Sequence, residues 1–306
     1  MDLEQQSAHY LDLARQMLDE AFGDERQQWI SRIISELPQI RLVFAWLKDQ
    51  GEIEQGLELA YYLQELWFED QHTEEGLGIL QAFLAMEPPQ ESLVIRAMCL
   101  DLAGGLAINL NKLELAHLLK EQAIANFRKL GNQRQLGYAL LHYGHLAGHA
   151  QGLYDKADQV YGEALEIFIS LADLGGIAHA TANLASAKLE LGDAVTAQAF
   201  VDDSLKRYSD LNAQWDLALT IGTAAGVAVA QGRFEDAVLL AAASSAHRER
   251  IGVTLPDAYK SRFQHIEEDA LRSFEEEQRS VLWARGQSMT MVEAINYALG
   301  KNNTSS

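Results

Sequence analysis

Small residues return at a fixed distance along the middle of this chain, and that regularity restricts the fold more than any other feature. Ala116, Ala157, Ala197 and Ala237 are separated by 41, 40 and 40 residues. Asn111, Gly152, Gly192 and Gly232 precede them by five residues each time. Ala123, Ala164, Ser204 and Ser244 follow by seven, and Leu130, Leu171 and Leu211 close three of the units. Such a period marks a repeat architecture, in which each unit buries its apolar face only against its neighbours.

The pattern inside a unit is helical. Ala178, Ala182, Ala185 and Leu189 share one face before Gly192, and Ala197, Val201, Ser204 and Leu205 share another after it. A glycine between two helical stretches supplies the left-handed residue that ends the first helix and reverses the chain. An alanine at the crossing lets two antiparallel helices approach closely. Each unit therefore reads as a helix-turn-helix hairpin. From the small residue of the first helix (Gly104, Gly144, Ala185, Ala225) to the turn position is seven residues in three units and eight in the second. The extra residue is expected in the turn, within Ala150-Gln151-Gly152.

Composition agrees with a helical array. Only four prolines, Pro38, Pro88, Pro89 and Pro256, interrupt the chain. A net charge of −20, from 24 basic and 44 acidic side chains, opposes a phosphate backbone and argues against nucleic-acid binding by this chain itself. The single cysteine, Cys99, excludes an intrachain disulfide and a multi-cysteine zinc site. No secretory signal opens the sequence. The longest apolar run, Leu217 to Ala230, is shorter than the ~18 residues of a membrane span and contains Thr220, Gly222, Thr223 and Gly226, so it reads as a buried helix. The expected compartment is the cytoplasm, with no membrane contact.

The ends differ from the middle. Residues 1–38 read as a helical cap of two amphipathic helices, with a helix break at Pro38. Residues 39–90 read as degenerate repeats with Gly56 and Gly76 in place of alanine, closed by Pro88-Pro89. Four repeats fill 91–252. A C-terminal cap occupies 253–300. After Pro256 its long helix runs through Phe263, Ile266, Ala270, Leu271 and Phe274, with Glu275-Glu276-Glu277 on its exposed side. Thr290-Met291-Val292-Glu293 has capping-box form and starts a last short helix; residues 301–306 form a disordered tail. The expected fold class is all-α, a right-handed α-solenoid of helix hairpins with helical caps at both ends. Between residues 51 and 100 Arg96 is the only basic side chain among ten acidic ones, a solvated face or a dock for a basic partner.

The small residue of the first helix, the turn position and the two small residues of the second resemble the tetratricopeptide repeat, whose usual unit is shorter, ~34 residues. The longer period with its Leu-Gly-Asn and Leu-Gly-Asp connections looks like the helical array at the C-terminal end of bacterial NB-ARC/STAND (LuxR/AfsR-like) transcriptional regulators. Residues 40–51, 56–68, 237–256 and 283–294 are similar to segments flanking that array. The resemblance implies a sensing or scaffold module that holds or releases an ATPase and DNA-binding domain of the same regulator. Two departures qualify it: the chain has neither a G-x-x-x-x-G-K-[ST] loop nor a basic recognition helix.

Candidate ligand residues lie where the register turns helices toward the concave side. His142, His145 and His149 are spaced i, i+3, i+7, with Tyr138 one turn earlier in the same unit, Asn109 in the unit before, and His179, Asn183 and Glu190 beside them in the next unit. Histidines so spaced can ligate a metal, but one straight helix rarely closes a tetrahedral site. The alternatives are a polar groove wall for a peptide, protein segment or small effector, and ordinary surface histidines. Gly222 and Gly226 fit tight helix packing better than a phosphate site. Enzyme signatures fail: His265-Ile266-Glu267 lacks the cysteine pair of zinc deaminases, no H-E-x-x-H or G-x-S-x-G occurs, and Cys99 sits among apolar residues. The expectation is a non-catalytic binding module without a cofactor. A stand-alone adaptor or a peptide receptor of the quorum-sensing kind is the alternative.

Overall fold

The computed structural model of the chain describes residues 2–20, 26–87, 93–252 and 257–301, and every regular element among them is helical. The chain divides into two compact units, Met1–Leu146 and Ala147–Ser306. Each is all-α, a stack of helix hairpins.

The first unit holds α1 (Leu3–Glu20), α2 (Arg26–Gln50), α3 (Ile53–Tyr62), α4 (Gln64–Trp67), α5 (Thr73–Leu84), α6 (Leu93–Asn109), α7 (Leu113–Leu130) and α8 (Gln133–His145). The break expected at Pro38 is absent: α2 runs unbroken through it. A proline inside a helix costs roughly 3 kcal/mol. The buried row Ile30, Ile33, Leu37, Ile40, Val43, Phe44 and Leu47 outweighs it, since each such side chain stabilises by about 1.5–3 kcal/mol. Gly56 and Gly76 depart from alanine for a reason visible in the packing. Phe83 lies where a β-carbon of Gly56 would be, and a β-carbon at Gly76 would sit 2.5 Å from Trp67. Phe44 joins both rings, with centroids 6.4 Å from Trp67 and 6.1 Å from Phe83.

The second unit holds α9 (Tyr154–Ser170), α10 (Leu174–Glu190), α11 (Ala194–Asp210), α12 (Gln214–Ala230), α13 (Phe234–Ile251), α14 (Asp257–Leu271), α15 (Glu276–Gln287) and α16 (Met291–Ala298). A π-helical turn, Leu146–Ala150, follows α8. The division between the units thus falls inside the second repeat.

The repeat register is met at every position that the period singled out. Ala116, Ala157, Ala197 and Ala237 have no exposed surface, and Ala123, Ala164, Ser204 and Ser244 are buried with them. The hairpin turns are left-handed at Asn111 (φ 54°), Gly152 (68°), Gly192 (80°) and Gly232 (71°). A second left-handed series joins successive hairpins: Gly131 (68°), Ala172 (51°), Asn212 (52°) and Gly252 (72°). Asp173 and Asp193 then cap α10 and α11, accepting from the amides of Gly176 and Thr196 at 3.0 Å.

Two further expectations are corrected. The extra residue of the second repeat is not taken up only in the turn at 150–152, because the π-helical turn just before it already spends one more residue per turn. The Leu153 amide accordingly reaches back six residues to the Ala147 carbonyl, whereas those of Asp193 and Arg233 reach back five, to Lys188 and Ala228. The long C-terminal helix is two helices. Glu275 turns extended (ψ 158°) and with Gln278 closes a capping box that starts α15. The capping box at Thr290 is present as expected, the Glu293 amide donating to Thr290 Oγ1 at 3.2 Å. The stops assigned to Pro88-Pro89 and Pro256, and the tail beyond Lys301, lie outside the described residues. No helix among the described residues is long and apolar enough to cross a membrane.

Three substitutions test this packing by urea denaturation. Ala197→Leu overpacks a helix crossing and should destabilise the second unit by about 1–3 kcal/mol, whereas Glu166→Leu on the exposed side of α9 should stay within about 0.5 kcal/mol. Ala172→Gly should stabilise by about 0.5–1 kcal/mol, because Ala172 holds a left-handed backbone that glycine adopts without a β-carbon clash.

Candidate functional site

In the first unit the expected site is organised around a group the sequence reading did not single out, Lys120. Its side chain is 3% exposed. Gly104 makes room for its methylenes: a β-carbon there would lie 2.9 Å from Lys120 Cγ. The ammonium donates to the Asp101 backbone carbonyl at 2.8 Å and to Asp101 Oδ1 at 2.7 Å. The other carboxylate oxygen, Oδ2, lies 2.6 Å from His142 Nδ1. A carboxylate can only accept, so Nδ1 carries the proton. Burial alone would raise the Asp101 carboxyl, but Lys120 and His142 together hold it well below the usual carboxylate range. The His142 ring is about half exposed over this buried pair, with its centroid 6.4 Å from that of His145. Asn109 is exposed at the end of α6, and Tyr138 is half-buried on α8.

In the second unit His179 is exposed and stands edge-on to Tyr208, centroids 5.6 Å apart, with Nδ1 3.9 Å from Asp216. Burial pushes the Asp216 carboxyl up, against the pull of His179. Asn183 donates its amide to the His179 carbonyl at 3.0 Å. Glu190 accepts from Arg262 Nε of α14 at 3.2 Å. Burial pushes the His149 imidazole down to about 4, and the Arg262 charge adds to that. The α-helical spacing expected to align three histidines ends at His145, because His149 belongs to the π-helical turn.

The structure therefore brings His142 to His145 and to Asp101 in one unit, and Asn183 to His179, and Glu190 and His149 to Arg262, in the other. Lys120 escaped sequence reading because it lies on an apolar helix face between Leu119 and Ala123. The pairing signal was the glycine opposite it. Arg262 escaped because nothing local tells that α14 returns onto α10.

Other candidate chemistry is occupied elsewhere. Cys99 is fully buried, its Sγ 3.3 Å from the Leu57 carbonyl, and burial pushes the thiol far up, which leaves no thiolate nucleophile near neutral pH. His265 Nδ1 contacts the Ser261 carbonyl at 2.6 Å, while Glu267 pairs with Arg248 at 3.5 Å. Among the described residues no group of three or more His, Cys, Asp or Glu side chains is placed to hold a metal ion. The acidic strip is partly neutralised: Arg26 pairs with Glu65 and Glu69, Arg41 with Glu75, and Lys112 with Glu74.

No protein-family model matches the chain. A protein named as an HTH-type transcriptional regulator in Mycobacterium bovis, and its counterparts in two strains of Mycobacterium tuberculosis, are each 34% identical to it over 76 residues. That stretch is 25% of this chain, and the match spans 8% of the length of these relatives. Among solved structures, apo RapI is similar with a TM-score of 0.61 at 13% identity, covering 87% of this chain and 98% of that one. BtubC (BKLC) from P. vanneervenii gives 0.56 at 18% identity, covering 84% and 95%. The fold is thus a tetratricopeptide-like helical-repeat fold.

Two measurements probe the electrostatics. Lys120→Met leaves Asp101 buried without its cation and should destabilise the first unit by about 3–5 kcal/mol, and adding Asp101→Asn should recover most of that loss in urea denaturation. The unfolded imidazole of His149 protonates near 6.5 and the folded one only near 4, so the unfolded state binds more protons in that window. Stability should therefore fall as pH drops from about 6.5 to about 4, by roughly 1–3 kcal/mol, and His149→Gln should flatten that slope in pH-dependent denaturation.

Proposed function

We propose that this chain is a non-catalytic binding and sensing module that takes a peptide, a protein segment or a small effector on the helix face carrying the histidines. The observation that carries this reading is His142, presented half exposed on a buried Asp101–Lys120 pair. A preorganised polar group on a rigid repeat scaffold supports recognition, since a ligand need not organise it on binding. In the first unit the ligand-facing residues are Asn109, Tyr138, His142 and His145; in the second they are His149, His179, Asn183 and Glu190. No cofactor, nucleic acid or membrane enters the reading, and the cytoplasm is its compartment.

The module belongs to a bacterial transcriptional regulator. It senses its ligand and biases an ATPase and DNA-binding domain through a shift in population. The short sequence likeness to HTH-type regulators supports this context. A stand-alone adaptor, or a peptide receptor of the quorum-sensing kind, is the second reading. It is supported by RapI and BtubC, whose chains are covered almost end to end by the same fold. An in-frame P-loop and helix-turn-helix coding region beside this one favours the first reading over the second.

The binding reading is tested by capturing partners from the native organism with the intact chain and with His145→Ala and Asn183→Ala chains made separately. Both side chains are half-buried, so each substitution should cost at most about 1 kcal/mol, lower the melting temperature by only a few degrees, and lower partner capture at least about tenfold. Undiminished capture by both variants would refute the site.

A further inference from the structure

The second unit carries an occupant of its own on the face in question. The Phe263 ring of α14 lies against Gly222 of α12, in the space a β-carbon would need. One turn on, Ile266 and Leu189 close over Gly226, where a β-carbon would sit 3.0 Å from Ile266 and 2.8 Å from Leu189. Arg262 reaches Glu190 at the end of α10. On the far side the Arg248 guanidinium stands 4.7 Å from the Phe263 ring centroid and 3.5 Å from Glu267. The surfaces of α10 and α12 that the repeat register turns toward a ligand are thus covered by an arginine, the aromatic next to it and an aliphatic residue three positions further.

This seat is imperfect. Arg262 Nη2 is buried with no hydrogen-bond partner among the described residues, and a buried donor left unmatched is expensive. Of the described α14 side chains only Phe263 and Ala270 are fully buried, while Ile266 and Leu271 pack on the core half-exposed, so few buried side chains hold the helix down. The chain is anchored again beyond it: Gly286 of α15 packs on the Leu239 carbonyl so closely that a β-carbon would lie 2.5 Å from the oxygen. Lifting α14 therefore leaves α15 in place.

We propose that α14 is a built-in occupant of the ligand face of α10 and α12, and that the partner binding there is an amphipathic helix. That helix carries an arginine, an adjacent aromatic and an aliphatic residue three positions on, and it enters by displacing α14. The proposal rests on the binding reading above and names its ligand class. A partner helix whose arginine keeps the Glu190 pairing and also matches its second nitrogen gains over α14, whose Arg262 pairs with Glu190 through Nε alone.

The probe is a labelled peptide of residues 257–272 added to the full chain. The intact chain, with its face covered, should bind it weakly. Phe263→Ala should raise its affinity about tenfold or more, because apparent affinity scales with the open fraction. In the same variant the α14 amides should exchange faster while α10 and α12 keep their protection. If Phe263→Ala fails to fold, Arg262→Glu replaces it: affinity for the unchanged peptide, whose arginine still meets Glu190, should rise, and α14 amides should exchange faster. Unchanged peptide affinity on opening, or loss of protection in α10 and α12 together with α14, overturns the proposal and makes α14 a fixed part of the fold. Partner capture by His145→Ala and Asn183→Ala chains is read separately, so the binding reading can stand where this one falls.

Discussion

Two antiparallel helices can touch along their length only where neither presents bulk at the crossing, and the hairpins of this protein depend on that. Ala157, Ala197 and Ala237 have no exposed surface, and a serine or alanine seven residues on is buried with each. The close approach is useful only if the chain can reverse within a few residues, which the left-handed residue at each turn provides. The two requirements are coupled: the small residue sets the distance between helices, and the turn sets the point along them where it falls. Changing either alone moves a large side chain into the crossing.

Features fixed by local chemistry were therefore legible in the sequence, and features fixed by distant contacts were not. The turn positions, the buried alanines, the apolar helix from Leu217 onward and the capping box at Thr290 all follow from neighbours within one or two helical turns. Pro38 misled because a local rule, that proline ends helices, was overridden by tertiary burial along α2. The break at Glu275 was hidden because glutamate is a good helix former as well as a capping residue, and only its extended backbone tells which role it takes. The extra residue in the second repeat was counted correctly but widens a helical turn as well as the loop. For the site, the histidines were visible as a spacing. Their anchor, Lys120, and the arginine over Glu190 were not, since both come from elements remote in sequence.

A buried ion pair is a weak source of stability, because the loss of hydration offsets most of the attraction. The Asp101–Lys120 pair is therefore better explained by what it positions than by what it stabilises. Lys120 is nearly inaccessible, so it cannot touch a ligand, yet its charge keeps Asp101 ionised and aimed at His142. The half-exposed imidazole is thereby held with Nδ1 donating to Asp101, a constraint that a free surface histidine does not have. Gly104 belongs to the same device, since a side chain there would displace the lysine stem.

The likeness to bacterial regulators has to be weighed against the same packing rules. The matched stretch is shorter than two repeat periods. Where a stretch of this length falls on hairpins, the alanines, turn glycines and apolar positions are set by hairpin geometry, so identity there is not by itself evidence of a shared ligand. Geometry does not dictate residues that stand outside the hairpin crossings, such as His142 in the first unit and Asn183 and Glu190 in the second. It is these positions, aligned between this chain and proteins of known partner, that separate common descent of a binding site from common construction of a scaffold.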